Sequence, residues 1–317
     1  MADTTEAGRS EDAAAGDPPE WRHETAHLGD VSLHYVRVDP DPADVPGESA
    51  PPLVVCLHGF PEFWYAWRHQ LSPLAAAGFR VVAPDMRGYN RSSKPAGVDS
   101  YRPGTLAADV RGLVEHLGYA RTHLVGHDWG GLVAWEVAIR DPDLLDRLVV
   151  LNAPHPERYR RTVKRSPRQL LRSWYAVAAQ VPWIPERLLA ARDFAAIEGM
   201  LGDASRPDAF TDADVRRYKR ALATEGTLTA ALNYYRAQFR EGVGQELRGL
   251  VGRDRDTTVR VPTLVVWGER DRALGTELLA GLEGFVPDLR VERLPEASHW
   301  VQADEPDRVT DLLVDFL

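Results

Sequence analysis

Asp128 stands at the centre of the run Val125-Gly126-His127-Asp128-Trp129-Gly130-Gly131. An apolar stretch precedes it, and a helix-like stretch, "LVAWEVAIR", follows. A sharp strand-to-helix turn in this setting exposes a reactive side chain, usually the serine of G-x-S-x-G. No G-x-S-x-G occurs in the chain, so a serine nucleophile has no elbow to occupy. The glycines at 126, 130 and 131 permit a tight turn and close helix–strand packing. Two further residues follow later apolar runs: Asp271 after "TLVVWGER" and His299 after "LRVERLPEAS". This set predicts covalent catalysis, with Asp128 as nucleophile, His299 as general base and Asp271 orienting the imidazole. Each alone has an ordinary role: a helix N-cap for Asp128, a turn for Asp271, a core histidine for His299. Their joint placement at three strand ends, where open parallel sheets bind ligands, favours the catalytic reading.

The elements that must hold these residues alternate. "VSLHYVRV" has the period of a strand, and "LVVCLHG" is a continuous apolar run of the kind buried in a parallel sheet. "WYAWRHQLSPLAAAG" reads as a helix with a glycine stop, and "FRVVAPD" as the next strand. "TLAADVRGLVEHLG" reads as a helix opened by Thr105 and ended by Gly118. "RTHLVG", "WGGLVAWEVAIRD" and "LDRLVVLNAP" continue the strand–helix–strand pattern to about Pro154. Helical spacing with many aromatics follows, and strand character returns at "VRVPTLVVWG". A helix "TELLAGLEGF", a strand "LRVERLP" and a helix "EPDRVTDLLVDFL" close the chain. The expectation is a doubly wound, mostly parallel α/β sheet interrupted by a helical insertion. Its divisions are a disordered tail over 1–20, core over 21–155, lid over 156–258 and core again over 259–317.

Bulk properties narrow the function. The formal charge of −9 argues against a nucleic-acid partner, which needs clustered cations. Cys56 is the single cysteine and sits in "LVVCLHG", where it packs as a small hydrophobe. No apolar stretch reaches the roughly 18 residues of a membrane span. The first residues carry neither a basic n-region nor an apolar h-region, so a cytoplasmic location is expected. No metal-ligand cluster or phosphate-binding loop stands out, and no cofactor is expected. Oligomeric state is left open.

The order nucleophile, acid, histidine is that of the α/β-hydrolases. Several motifs coincide with it in order and spacing: "HGFPEFWYAWRHQL", "DMRGYNRSSKP", "GHDWGG", "LNAPHP", "WGERDRAL" and "SHWVQADEP". In these the chain from about Trp21 onward resembles the α/β-hydrolase-fold epoxide hydrolases of the soluble type. The lid segments "SPRQLLRSWY", "QVPWIPE" and "LNYYRAQF" resemble theirs as well.

That resemblance explains the carboxylate. An epoxide offers a saturated carbon rather than a carbonyl. A serine would leave an ether that water does not readily cleave, whereas Asp128 would leave an ester that it does. The backbone N–H groups of Phe60 and Trp129 are the expected oxyanion donors. The resemblance places Tyr235, the second tyrosine of "LNYYR", as proton donor to the epoxide oxygen. A second lid tyrosine is implied two residues before Gln180, where this chain has Ala178; Tyr175, one helical turn earlier on the same face, is the expected substitute. Trp174, Trp183 and Trp300, with Phe60 and Trp129, are the expected apolar wall. His58, His127 and His155 are read as structural. The implied partners are a small apolar epoxide and water.

Two rivals share the fold. A dehalogenase would use the same aspartate and could take halide donors from the Trp129 and Trp174 indoles. Against it, Phe60 replaces the Asn or Glu typical of haloalkane enzymes, and Trp129 replaces the Arg of fluoroacetate-type enzymes. A non-catalytic binding protein would have lost a catalytic residue, and Asp128, Asp271 and His299 are all retained.

Overall fold

The computed structural model describes residues 17–45, 50–250 and 255–317. Eight strands form one sheet: β1 (Arg22–Leu28), β2 (Val31–Val38), β3 (Leu53–Leu57), β4 (Arg80–Pro84), β5 (Thr122–His127), β6 (Leu145–Leu151), β7 (Thr263–Gly268) and β8 (Leu289–Leu294). Their order is β1-β2-β4-β3-β5-β6-β7-β8. β2 runs antiparallel to β1 and β4, and the remaining pairs are parallel. β3, β5 and β7 are buried along their whole length, because helices cover both faces of the parallel part. Each valine or leucine buried there stabilises the fold by about 1.5–3 kcal/mol.

The helices of the sheet are α1 (Leu71–Ala76), α2 (Pro103–His116) and α3 (Trp129–Arg140). Between β6 and β7 come α4 (Pro156–Arg165), α5 (Pro167–Arg172), α6 (Trp174–Ala178), α7 (Ile184–Leu201), α8 (Asp212–Ala223) and α9 (Thr227–Leu250). α10 (Val301–Asp304) and α11 (Pro306–Phe316) end the chain.

Several expectations are corrected. The helix expected from Trp64 to Gly78 is a 3-10 turn, Trp64–Trp67, followed by α1. Pro73 cannot donate to the His69 carbonyl and its ring would clash there, whereas it fits the first turn of a new helix. α2 begins at Pro103 rather than Thr105, with proline at the first helical position. "TELLAGLEGF" forms two 3-10 turns, because Gly281 at φ 75° breaks the helix between them. β1 carries little apolar signal in the sequence, since only Ala26 among its seven residues is buried. The tail expected over 1–20 lies, for 1–16, outside the described residues. Asp17 is already held, 2.5 Å from Arg217 and 3.3 Å from His23.

Close packing around the β5–α3 turn constrains the sequence. A Cβ on Gly130 would strike the carbonyls of Leu57 and His58, and one on Gly126 would strike the Gly130 carbonyl. Gly199 in α7 has open space around it. Gly130→Ala is therefore expected to destabilise by at least about 1–3 kcal/mol. Gly199→Ala should be neutral or stabilising by about 0.4–1 kcal/mol. Urea unfolding of both variants checks the contrast; equal midpoints would contradict it.

Candidate active site

The sequence-predicted residues meet beyond the carboxyl ends of the parallel strands. Asp128 follows β5 directly, at φ 49° and ψ −116°. Phe60 lies beyond β3, Asp271 beyond β7 and His299 beyond β8. The Phe60 N–H donates to Asp128 Oδ1 at 2.8 Å. The other oxygen, Oδ2, faces His299 Nε2 at 3.5 Å. His299 Nδ1 donates to Asp271 Oδ2 at 2.7 Å, which presents Nε2 to Asp128. The Trp129 N–H occupies the first position of α3 and makes no hydrogen bond to Asp128 among the described residues. Gly59 lets the Phe60 loop approach, since a Cβ there would overlap the Asp128 side chain.

Charge follows this geometry. Burial alone raises the Asp128 carboxyl, but the hydrogen bond and charge of His299, the charge of His127 and the Phe60 N–H outweigh it; the net direction is downward. Asp271 moves the same way, because burial is outweighed by His299, Asn152 and the Leu274 N–H. Burial would lower His299, yet the Asp271 charge and its bonds to both carboxylates hold it well above the usual histidine value. The two carboxylates thus favour the protonated form of the imidazole that lies between them.

The two adjacent tyrosines of α9 divide their roles. Tyr234 is buried and donates to the Arg87 carbonyl at 2.7 Å. The Tyr235 ring turns to the site, edge-on to Trp129, Phe60 and Tyr175 with centroids 4.7, 6.0 and 5.8 Å away. Burial pushes the Tyr175 and Tyr235 phenols upward, with the Asp128 charge acting in the same direction, so both are protonated at neutral pH. Ala178 leaves the later position on α6 without a hydroxyl.

The expected aromatic wall is only partly assembled. Trp174 and Trp183 are 68% and 74% exposed and stand on the outer surface of the insertion, away from Asp128. Trp174 and Tyr175 are consecutive on α6, about 100° apart around the helix, so the two rings do not share a face. This also takes the Trp174 indole out of a halide site. Trp300 is buried behind His299, centroids 4.9 Å apart, and its indole donates to the Met200 carbonyl. Phe60 and Trp129 do face Tyr235.

Other residues support the site without having been singled out. Asn152, directly after β6, donates to Asp271 Oδ2 at 2.7 Å and accepts from the Gly268 N–H at 2.8 Å. The Ala273 and Leu274 N–H groups complete the shell of Asp271 Oδ1. The strand-end rule that marks Asp128 applies equally to Asn152. Glu62, fully buried, lies 2.7 Å from His127 Nδ1 and accepts from Gln302 and the Gly59 N–H. His127 Nε2 donates to the His299 carbonyl at 2.9 Å. His58 bridges the Gly59 carbonyl and the Met86 N–H, and His155 bonds the Thr257 carbonyl. Among the described residues, no His, Cys, Asp and Glu group has the arrangement of a metal site, and no helix is long and apolar enough to cross a membrane.

Comparison with known proteins identifies the family of this fold. Residues 52–306 match the model of the alpha/beta hydrolase fold family. The AB hydrolase superfamily protein YfhM of Bacillus subtilis is 41% identical over 86% of this chain and 92% of its own. Epoxide hydrolase 4 of Mus musculus is 36% identical over 96% and 82%. The crystal structure of Bacillus megaterium epoxide hydrolase in complex with an inhibitor superposes with a TM-score of 0.79 at 30% identity, covering 92% of this chain and 99% of that one. The chain belongs to the alpha/beta hydrolase fold family and, within it, to the epoxide hydrolases.

The charge pattern gives a pH prediction. Asp128→Ala removes one of the two anions that favour protonated His299, so the titration midpoint of His299 falls. Imidazole nitrogen shifts followed by NMR across pH measure it; an unchanged midpoint would mean that Asp271 alone sets the charge.

Proposed function

We propose that this protein hydrolyses epoxides to vicinal diols through a covalent ester on Asp128. The observation that carries the reading is the division of the Asp128 carboxylate, with Oδ1 on the Phe60 N–H and Oδ2 open towards His299. Oδ2 attacks an epoxide carbon from the side opposite the C–O bond. The new O–C bond forms as the ring C–O bond breaks, and the epoxide oxygen takes a proton from Tyr235, with Tyr175 as the second donor. Alkylation neutralises Asp128 and removes one of the anions that raise His299. The imidazole then gives up its proton, which restores the tyrosine, and acts as base.

Water, deprotonated by His299, adds to the Asp128 side-chain carbon. Oδ1 becomes the oxyanion, stabilised by the Phe60 N–H and by the Trp129 N–H as second donor, each worth about 10²–10³ in rate. Collapse breaks the acyl C–Oδ2 bond, and the diol leaves with Oδ2 and the proton held by His299. The proton released by the regenerated carboxyl returns to His299 and restores the resting site. Asp271 keeps the imidazole in the productive tautomer. In this reading 21–155 and 259–317 form the catalytic core, and 156–258 forms the lid that brings Tyr175 and Tyr235 over Asp128. The scheme uses only these side chains and water.

Two variants separate the steps. His299→Ala should alkylate but hardly deacylate, so incubation with styrene oxide accumulates a mass adduct on Asp128; absence of the adduct contradicts the order of events. Tyr235→Phe should slow single-turnover alkylation by about 10²–10⁴. An unchanged rate would remove Tyr235 from the mechanism.

A further inference from the structure

The outer surface of α5 to α7 is unlike the rest of the molecule. Leu170, Leu171, Trp174 and Val177 are all exposed along α5 and α6, with Leu171 at 75%. The exposure continues through Trp183, Ile184 and Leu188 at the start of α7. Isolated exposed apolar residues are ordinary, but these seven large ones within residues 170–188, two of them tryptophans, mark an interaction surface. Cations flank it. Arg165, Arg168, Arg187 and Arg192 are exposed, and none is in an ion pair among the described residues. The acidic neighbour Glu186 is already bound by Arg236 at 2.9 Å.

This basic rim sits on a chain whose formal net charge is −9. The charge identifies the occupant. A symmetric contact with a second copy would bring the two sets of arginines together, which repels. An anionic lipid surface supplies the opposite charge, and tryptophan, leucine and arginine are the residues that settle at a bilayer interface. We propose that the α5–α7 face docks on the surface of anionic lipid bilayers, the arginines meeting headgroups and Leu171, Trp174 and Trp183 entering the acyl boundary. The docking itself does not depend on the reaction.

Flotation of the purified full-length protein with phosphatidylcholine vesicles, with and without phosphatidylglycerol, tests this. The protein should float with the phosphatidylglycerol vesicles only, and less so near 1 M salt, where the Debye length is about 3 Å. The quadruple variant Arg165→Gln, Arg168→Gln, Arg187→Gln, Arg192→Gln should lose about tenfold or more of the bound fraction. The double variant Leu171→Ser, Leu188→Ser should also lose binding, with thermal melts showing that both variants remain folded. Three results would overturn the proposal: no flotation with phosphatidylglycerol vesicles, flotation unaffected by either variant, or a dimer in light scattering that the Leu171→Ser, Leu188→Ser variant abolishes and that leaves vesicles unbound.

Discussion

The backbone of Asp128 is held at φ 49° and ψ −116°, outside the regions an L-residue adopts freely. Such a conformation costs about 1–3 kcal/mol and persists only where its surroundings over-determine it. Here they do. The Asp128 N–H donates to the Leu151 carbonyl at 3.3 Å, and the Leu132 N–H returns to the Asp128 carbonyl at 3.0 Å. The side chain is fixed by the Phe60 N–H. Glycines at 59, 126, 130 and 131 remove the Cβ atoms that would push these segments apart. The strain is offset by the packing of β3, β5, β6 and α3, and the result is a carboxylate facing outward from the sheet with Oδ1 on the Phe60 N–H and Oδ2 towards His299.

Everything else in the site is arranged around that carboxylate. Asn152 and two backbone N–H groups fix Asp271, and Asp271 fixes His299. From the other side, His127 and Glu62 tie the His299 carbonyl to the loop that carries Phe60. The insertion is tied down as firmly. Gln169, fully buried on α5, donates to the Ala273 carbonyl and accepts from the Gly275 N–H, beside Asp271. Arg236 donates to the carbonyls of Ala179 and Val181, and Gln180 donates to the Tyr235 carbonyl. These bonds lock α6 to α9 and set Tyr175 beside Tyr235.

Much of this was legible in the sequence, and for a physical reason. Buried parallel strands announce themselves as apolar runs, and the polar residue immediately beyond such a run lies at the sheet's ligand-binding edge. Asp128 stands immediately beyond β5, and Asp271 and His299 stand in the loops that follow β7 and β8. The same rule covers Asn152, whose partner is in another strand loop and invisible to local pattern. Side-chain direction in the insertion was not legible. Short helices with apolar residues on every side give no single face, so Trp174 and Trp183 looked as fit for the interior as Tyr175. The tertiary bonds of Gln169 and Arg236 decide which ring turns inward. Likewise Gly281 reads as an ordinary interior residue of a helix until its φ of 75° is known.

The central claim is that Asp128, and not water, makes the first bond to the substrate. A single turnover with enzyme in excess over styrene oxide in ¹⁸O-water tests it most directly, followed by mass analysis of the diol and of the peptide containing Asp128. The account predicts unlabelled diol in the first turnover and ¹⁸O in the Asp128 carboxylate, because water attacks the side-chain carbon and the diol departs with an oxygen of the enzyme. Label in the diol with none in Asp128 would contradict it, and would mean that water opens the epoxide directly.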